Sequence, residues 1–218
     1  MAKPRAAVSW KGGKDCFLAL HRVRERYDVI GLFTIMTEDG KRSLSHGLRP
    51  EILARQASIL GIPLLSENAS WADYDQEFSR VLAGIKRLGA SHMIFGDIFP
   101  EANRIWAEEI SSGHSLEAVE PLFGEPTYNL VHEFISTGAL AVVTTVRSSC
   151  LDGSFLGKRI TAELVEELLS KAVDPCGEKG EFHTLVARFT HTGASIPIRA
   201  GVSHAEKECI ALDFQLSE

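Results

Sequence analysis

The sequence has few cysteines, and no two of them are close together. They lie at positions 16, 150, 176 and 209, too far apart for a C-x-x-C metal or redox motif. Unpaired cysteines are typical of proteins from a reducing compartment. We therefore expect free thiols and a cytoplasmic location.

Long apolar runs are also missing. No run reaches the roughly 18 residues that a membrane-spanning helix needs. Basic residues occur near the start, in MAKPRAAVSWKGGKD, but no apolar stretch of signal-peptide length follows them. We expect no membrane partner.

Positive charge is not in excess. The chain has 23 Lys and Arg against 29 Asp and Glu, for a net charge of −6. A general nucleic-acid binder presents a basic field, which this balance does not supply. Nucleic acid is therefore not an expected partner, although several basic residues fall within the first 55 positions.

What the 218 residues do contain is an alternating pattern of strands and helices, long enough for one large domain or two modest ones. Apolar runs predict strands at 5–10, 29–36, 62–67, 91–97 and 116–124. Helical periodicity predicts helices at 15–27, 49–61, 73–89 and 100–111. This alternation predicts an α/β fold with a doubly wound parallel sheet.

The pattern changes after about residue 125. Helices are predicted at 127–138 and 161–172, a strand at 139–148, and short strands and turns over the last forty residues. We expect a domain over residues 1–124, which the parallel sheet would form, and a smaller α+β domain over residues 125–218 packed against it.

The turn WKGGKDC follows the first predicted strand and opens the first helix. Adjacent glycines let backbone N–H groups approach a phosphate, and a helix N-terminus favours an anion. Lys11 and Lys14 add positive charge. A plain strand-to-helix turn with solvated lysines is the alternative. The turn is neither a Walker A loop nor a G-x-G-x-x-G loop.

The same turn resembles the S-G-G-K-D-S loop of the PP-loop ATP pyrophosphatases, a Rossmann-like (HUP-type) group. Residues 12–15 match, whereas Lys11 and Cys16 stand in place of the two serines. Further segments resemble the diphthine–ammonia ligase family and its prokaryotic relatives. They are SLSHGLRPEIL (43–53), FGDIF (95–99), EPLFGEPTYNLVHEFISTGALAVVTTV (120–146) and DPCGEKGEFHTLV (174–186).

The resemblance implies ATP-dependent amidation, in which a carboxylate is adenylated, pyrophosphate leaves, and ammonia displaces AMP. The acceptor would be a small molecule or a protein side chain, and ATP and Mg²⁺ would be required. The resemblance implies nucleotide-binding residues at Ser9, Lys11, Gly12, Gly13, Lys14, Asp15, Cys16, His46, Gly47, Gly96, Asp97 and Arg104. It implies catalytic roles for Lys14, Glu178, Glu181 and His183. The place of Asp97 at the end of a predicted strand makes it a candidate metal ligand.

Several of these residues have ordinary structural readings as well. His46 could be a surface histidine, and Asp97 could cap the helix that follows it rather than hold Mg²⁺ or a ribose. Glu178 and Glu181 could belong to an exposed turn, or could bind a cation or take a proton from ammonia. Because acidic residues surround Cys176, we expect a structural thiol there.

Three functions follow from these observations. The first is an ATP-dependent ligase that forms an amide and releases AMP. The second is a non-catalytic adenine-nucleotide-binding protein, because both loop serines are absent. The third is an RNA-modifying enzyme of the PP-loop group. Such an enzyme is expected to have a basic surface or paired cysteines, and this sequence has an acidic balance and scattered cysteines. A homodimer is our expectation for the oligomeric state.

Overall fold

A computed structural model describes residues 2–217, which form two β-sheets with helices packed on them. The strands of the first sheet are β1 (Arg5–Ser9), β2 (Asp28–Met36), β3 (Leu64–Asn68), β4 (His92–Ile94) and β5 (Glu117–Val119). The helices between them are α1 (Lys14–Val23), α2 (Pro50–Leu60), α3 (Tyr74–Arg87) and α4 (Glu101–Ser112).

The first sheet is parallel throughout, in the order β3-β2-β1-β4-β5. The chain moves outward from β1 in one direction and then returns to build β4 and β5 on the other side. The strand order therefore reverses between β1 and β4, where ligands bind in doubly wound sheets. This order confirms the predicted fold class.

The second region is α+β, as predicted. It consists of α5 (Thr127–Ser136), β6 (Leu140–Arg147), α6 (Ala162–Ser170), β7 (Phe182–Arg188), β8 (Ile198–Glu206) and β9 (Cys209–Leu216), with a short 3₁₀ helix at Gly153–Phe155. Its four strands are antiparallel, in the order β7-β6-β9-β8. The predicted domain boundary at residue 124 lies in the turn between β5 and α5.

Helix α1 joins the two regions. Its Phe17 ring packs edge-on against Phe134 of α5 and Phe189 after β7, both at 5.8 Å between centroids. Its Arg22 donates hydrogen bonds to the carboxylates of Glu125 and Glu133. One apolar core therefore runs through both regions, and residues near β7 come to lie beside the start of α1.

Several elements are shorter than predicted, and β5 most of all, since it covers Glu117–Val119 instead of 116–124. Helix α1 ends at Val23 instead of about residue 27; the backbone N–H of Arg26 bonds to the Val23 carbonyl three residues earlier, which is the pattern of a tight turn and not of an α-helix. Strand β4 ends at Ile94 instead of residue 97, and Gly96 then leaves the sheet to pass against α1. The residues after β4 thus face the start of α1.

Across residues 2–217, no helix has both the length and the apolar composition needed to cross a bilayer.

Candidate functional site

A cavity of about 250 Å³ lies beyond the carboxyl ends of β1 and β4. Its walls come from the glycine turn, the loop after β4, the 37–49 segment and the turn before β7. Eleven of the residues predicted from sequence line it: Ser9, Lys11, Gly13, Lys14, Asp15, Cys16, His46, Gly96, Asp97, Glu178 and His183. The structure therefore brings together most of the predicted site.

The glycine turn is closely packed from both regions. Gly13 is the N-cap of α1 and provides no side-chain cap for the helix. A Cβ atom on Gly13 would lie 2.7 Å from Cε1 of His46 and 3.1 Å from the carbonyl oxygen of Thr184. Only glycine fits there. The first turn of α1 is left uncapped by Gly13 at the cavity wall, and such a helix terminus attracts anions.

Lys14 is the buried cation of the cavity, with 3% of its side chain exposed. Its Nζ donates to Oδ2 of Asp15 at 2.9 Å and to the carbonyl oxygen of Cys176. Burial lowers the pKa of Lys14, but the charges of Asp15 and Glu178 more than offset this, so the net pKa is raised. Because an ammonium group has three N–H donors, one remains after these two contacts.

Lys11 and Asp97 form an ion pair across the cavity, with 3.2 Å between Nζ and Oδ1. The attraction of Asp97 raises the pKa of Lys11. Asp97 therefore does not cap α4, whose N-cap is Pro100. The pair brings the loop after β4 to the glycine turn.

Gly96 sets how closely these two segments approach. A Cβ atom at this position would lie 2.8 Å from the backbone nitrogen of Cys16 and 2.9 Å from the carbonyl carbon of Asp15. Both are backbone atoms that cannot move aside by rotating. A side chain at residue 96 would therefore separate Asp97 from the start of α1.

His46 and His183 stack at 4.5 Å between ring centroids, with 27° between the rings. His46 Nδ1 donates to the carbonyl oxygen of Thr184 at 3.3 Å, in the tautomer that this acceptor requires. Burial, then the charges of Lys14 and Lys11, lowers the pKa of His183 to about 4. Burial and His183 hold the pKa of His46 well below its usual range. Both rings are neutral at pH 7.

Glu178 is a half-buried carboxylate in the same cavity. Burial is the main cause that raises its pKa to about 7; repulsion from Asp15 and Asp97 acts in the same direction, and the charges of Lys14 and Lys11 act against it. A carboxyl group with this pKa can bind a cation or exchange a proton near neutrality.

Glu181 lies elsewhere. In a strand it would share a face with His183, but β7 begins one residue later, at Phe182. The Glu181 carboxylate is buried and accepts N–H groups from Asp174 and Lys179, at 3.4 and 2.9 Å. It braces the turn that presents Glu178 and does not line the cavity.

Three predicted nucleotide-binding residues also lie outside the lining. Arg104 is on the exposed side of α4 and pairs with Glu108 at 2.9 Å. Gly47 faces a second, neighbouring cavity. Gly12 is buried behind the turn, where its carbonyl accepts from the side-chain amide of Gln56.

The two thiols at this site are buried. Cys16 Sγ donates to the carbonyl oxygen of Gly13 at 3.1 Å, and burial raises its pKa to about 12. Cys176 Sγ donates to the carbonyl oxygen of Thr127 at 3.3 Å, and burial raises its pKa as well. Both stay protonated at pH 7, which fits the structural role that we predicted for Cys176.

Sequence reasoning missed some of the lining. Thr184 Oγ1 accepts the backbone N–H of Lys14 at 3.1 Å, although 170 residues separate the two. Its only sequence signal is its place after His183. The other missed lining residues are Phe99, Pro100, Asn103, Gly177, Gly180 and Phe182. They reach the cavity through packing between the two regions.

The side chains fit Mg²⁺ only in part. Asp15, Asp97 and Glu178 supply carboxylate oxygens, the ligands that Mg²⁺ prefers, although Lys14 and Lys11 already pair with the first two. However, residues 2–217 contain no group of three or more His, Cys, Asp or Glu arranged to hold a metal ion. This donor set suits an ion that takes its remaining ligands from phosphate and water.

Known proteins resemble this chain along both regions. Residues 4–117 match the family model described as the diphthamide synthase N-terminal domain, and residues 126–191 match that of the diphthamide synthase C-terminal domain. A diphthine–ammonia ligase of Schizosaccharomyces pombe is 26% identical over 199 residues, which cover 80% of this chain and 33% of that protein. The chain thus spans about a third of that relative's length.

Among solved structures, one from Methanocaldococcus jannaschii, described as a predicted subunit of a tRNA methyltransferase, aligns with a TM-score of 0.43. The two chains are 16% identical, and the alignment covers 84% of this chain and 96% of that one.

Proposed function

Because this chain belongs to the diphthamide synthase family, we propose that it is an ATP-dependent ligase that converts a carboxylate into an amide. In the first step, an oxygen of the acceptor carboxylate attacks the α-phosphorus of ATP, and the bond between the α and β phosphates breaks. In the second, ammonia attacks the acyl carbon, AMP leaves, and the nitrogen loses a proton. The products are an amide, AMP and pyrophosphate.

The observation that carries this proposal is the position of Lys14. Its buried ammonium group lies at the start of α1, where Gly13 offers no side-chain cap, and keeps one N–H after its contacts with Asp15 and Cys176. In the proposed ATP complex, this N–H and the helix terminus stabilise negative charge as pyrophosphate leaves. Such charge stabilisation in a water-poor site is a large part of catalysis.

Asp97, together with Asp15 or Glu178, would hold a Mg²⁺ ion that arrives with the nucleotide. The ion would supply positive charge to the phosphate oxygens. Binding of the ion by Asp97 would break the ion pair between Asp97 and Lys11, and the Lys11 ammonium group could then contact phosphate.

Glu178 is the group that we assign to ammonia. With a pKa of about 7 it is partly ionised at neutral pH, so it can hold an ammonium ion or take the proton that the attacking nitrogen loses. His183 lies in the same wall as a neutral ring, able to donate or accept one hydrogen bond to the acyl group. We assign Glu181 the supporting role of fixing the turn.

The acceptor is a carboxylate of a small molecule or of a protein side chain, and we propose that the protein works in the cytoplasm. The decisive experiment uses acceptors whose carboxylate carries ¹⁸O, incubated with the full chain, ATP, Mg²⁺ and ammonium. Adenylation transfers one ¹⁸O atom into AMP, which mass spectrometry detects. AMP without ¹⁸O would mean that water attacks the nucleotide, and the ligase assignment would fail.

One observation favours a second function, nucleotide binding without catalysis. Cys16 replaces a serine, and its thiol bonds back to Gly13, so it offers phosphate a weaker donor than a hydroxyl group. Cys16→Ser tests this alternative. If the native chain binds ATP without turnover while Cys16→Ser and Lys11→Ser together release pyrophosphate, the native loop is a binding loop.

A further inference from the structure

A second and larger cavity, of about 740 Å³, lies beside the first. The 37–49 segment forms one wall, and strands β6 and β9 with the β8–β9 turn form the other. This volume falls within the range of small-molecule sites, about 300–1,000 Å³. The proposed nucleotide site does not include it.

The two cavities meet at the stacked pair. Of the residues that the structure describes, only His46 and His183 line both. Arg147, the last residue of β6, lies at the same junction. It lines the second cavity, while its guanidinium nitrogen is 2.5 Å from the place where a Cβ on Gly180 would be. Gly180 lines the first cavity.

Positive charge exceeds negative charge around the second cavity. Arg42 and Arg49 both bind Asp213, each with a contact of 2.6 Å. Among the side chains that the structure describes, Arg147 has no carboxylate partner within salt-bridge distance. Lys207 adds one further cation and Glu208 one further anion. Arg147 is therefore available to an anionic ligand.

The rest of the wall is apolar or uncharged. The aliphatic and aromatic side chains are Leu44, Leu48, Ala211, Leu212 and Phe214. Thr144 also lines the cavity and is only 2% exposed. Among the described residues, its Oγ1 has no hydrogen-bond partner. A buried hydroxyl group without a partner is unusual and marks a place where a polar group of a ligand can bind.

From this arrangement we propose that the second cavity binds a carboxylate with an apolar body, and that Arg147 holds the carboxylate at the junction with the first cavity. Arginine is suited to this role because its planar fork can donate two parallel hydrogen bonds to a carboxylate. The identification of the bound acid with the acceptor of the ligation rests on the proposed function. The binding of an acid in this cavity is independent of that function.

The test is calorimetric titration of the full chain without ATP. The probes are 4-phenylbutyrate, its neutral amide, and acetyl-Phe-Glu-Phe-amide, which carries its carboxylate on a peptide side chain. We expect at least one acid to bind the native chain and the neutral amide to bind about tenfold or more weakly, as the loss of a charged hydrogen bond implies. The acid that binds better shows whether the natural ligand is free or part of a protein.

Arg147→Gln should weaken acid binding by about tenfold and leave amide binding unchanged. Arg199→Gln, which removes an exposed arginine from the same sheet but outside the cavity, is the matched control and should bind like the native chain. If Arg147→Gln does not fold, Arg147→Lys should keep part of the affinity, and Leu212→Trp, which fills the cavity, should abolish it.

The proposal fails if neither acid binds, if acid and amide bind equally, or if Arg147→Gln binds like the native chain. Its failure is distinct from that of the ligase assignment. Binding through Arg147 without pyrophosphate release would keep this site and remove the reaction. AMP formation that Arg147→Gln leaves unchanged would keep the reaction and show that the acid bound by Arg147 is not its acceptor.

Discussion

The imidazole rings of His46 and His183 stack at 4.5 Å, and each ring comes from a different region of the chain. His46 follows β2 of the parallel sheet, whereas His183 is on β7 of the antiparallel sheet. The pair forms the wall between the two cavities. Stability, acid sensitivity and the proposed chemistry all depend on how the two regions meet here.

Acid should destabilise the protein partly through His183. Its pKa is lowered to about 4 in the folded protein, so between pH 6.5 and 4 the unfolded chain takes up a proton that the folded chain does not. The free energy of unfolding therefore falls as the pH falls through this range. His183→Phe keeps a ring and lacks the titration. Urea unfolding at several pH values should show that the variant loses less free energy of unfolding between pH 6.5 and 4.5 than the native chain. Equal losses in the two proteins would contradict the account.

Glu178 should act in the opposite direction. Because its pKa is raised to about 7, the folded protein holds a proton between pH 4.5 and 7 that the unfolded chain has released, and ionisation costs stability as the pH rises. Relative to the native chain, Glu178→Gln should gain free energy of unfolding from pH 5 to pH 8, measured with EDTA present. Glu120, whose pKa burial also raises to about 7, is present in both proteins and cancels.

The matched control for that measurement is Glu166→Gln, which removes an exposed carboxylate from α6. If the difference in free energy of unfolding between Glu178→Gln and the native chain does not change with pH, this carboxyl group does not titrate near neutrality. A constant difference is what the loss of a contact alone would give.

Gly96→Ala should destabilise the protein by about 1–3 kcal/mol, the usual cost of forcing atoms into a packed interior. The added Cβ would lie 2.8 Å from the backbone nitrogen of Cys16. Gly84→Ala is the control, because its Cβ would find no atom nearer than 3.8 Å and α3 is already helical there. It should be neutral or stabilising by up to about 1 kcal/mol. Equal effects in urea unfolding would refute the close approach.

Lys14→Met should reduce pyrophosphate release by about 100-fold or more, the scale expected when one preorganised donor to a developing charge is lost. Lys41→Met removes an exposed lysine from the loop after β2 and should leave the rate unchanged. The measurement is a coupled pyrophosphate assay at saturating ATP. A Lys14→Met variant that retains the native rate would remove Lys14 from the mechanism.

The parallel sheet and the contents of the first cavity were largely predictable from sequence. Alternating apolar runs and amphipathic helices are local patterns, and parallel strands place their carboxyl ends at one edge. Lys14, His46 and Asp97 each lie after a predicted strand of this sheet, and that placement alone favours one shared cleft.

Contacts between the two regions were not predictable. Lys14 meets the carbonyl of Cys176 across 162 residues, and such a contact leaves no periodicity in the sequence. The start of β7 was misplaced by the same limitation. The apolar pattern of EFHTLV suits a strand that includes Glu181, whereas in the structure the Glu181 carboxylate closes the turn before β7. The second cavity had no local signal, because Arg147 is simply the last residue of a strand.

The most direct test of the central claim is ³¹P NMR of ATP incubated with the full chain, Mg²⁺, ammonium and a carboxylate acceptor. The account predicts resonances of AMP and pyrophosphate in equal amounts, because the bond between the α and β phosphates breaks at the Lys14 turn. ADP with inorganic phosphate, or ATP that remains intact with every acceptor, would contradict it.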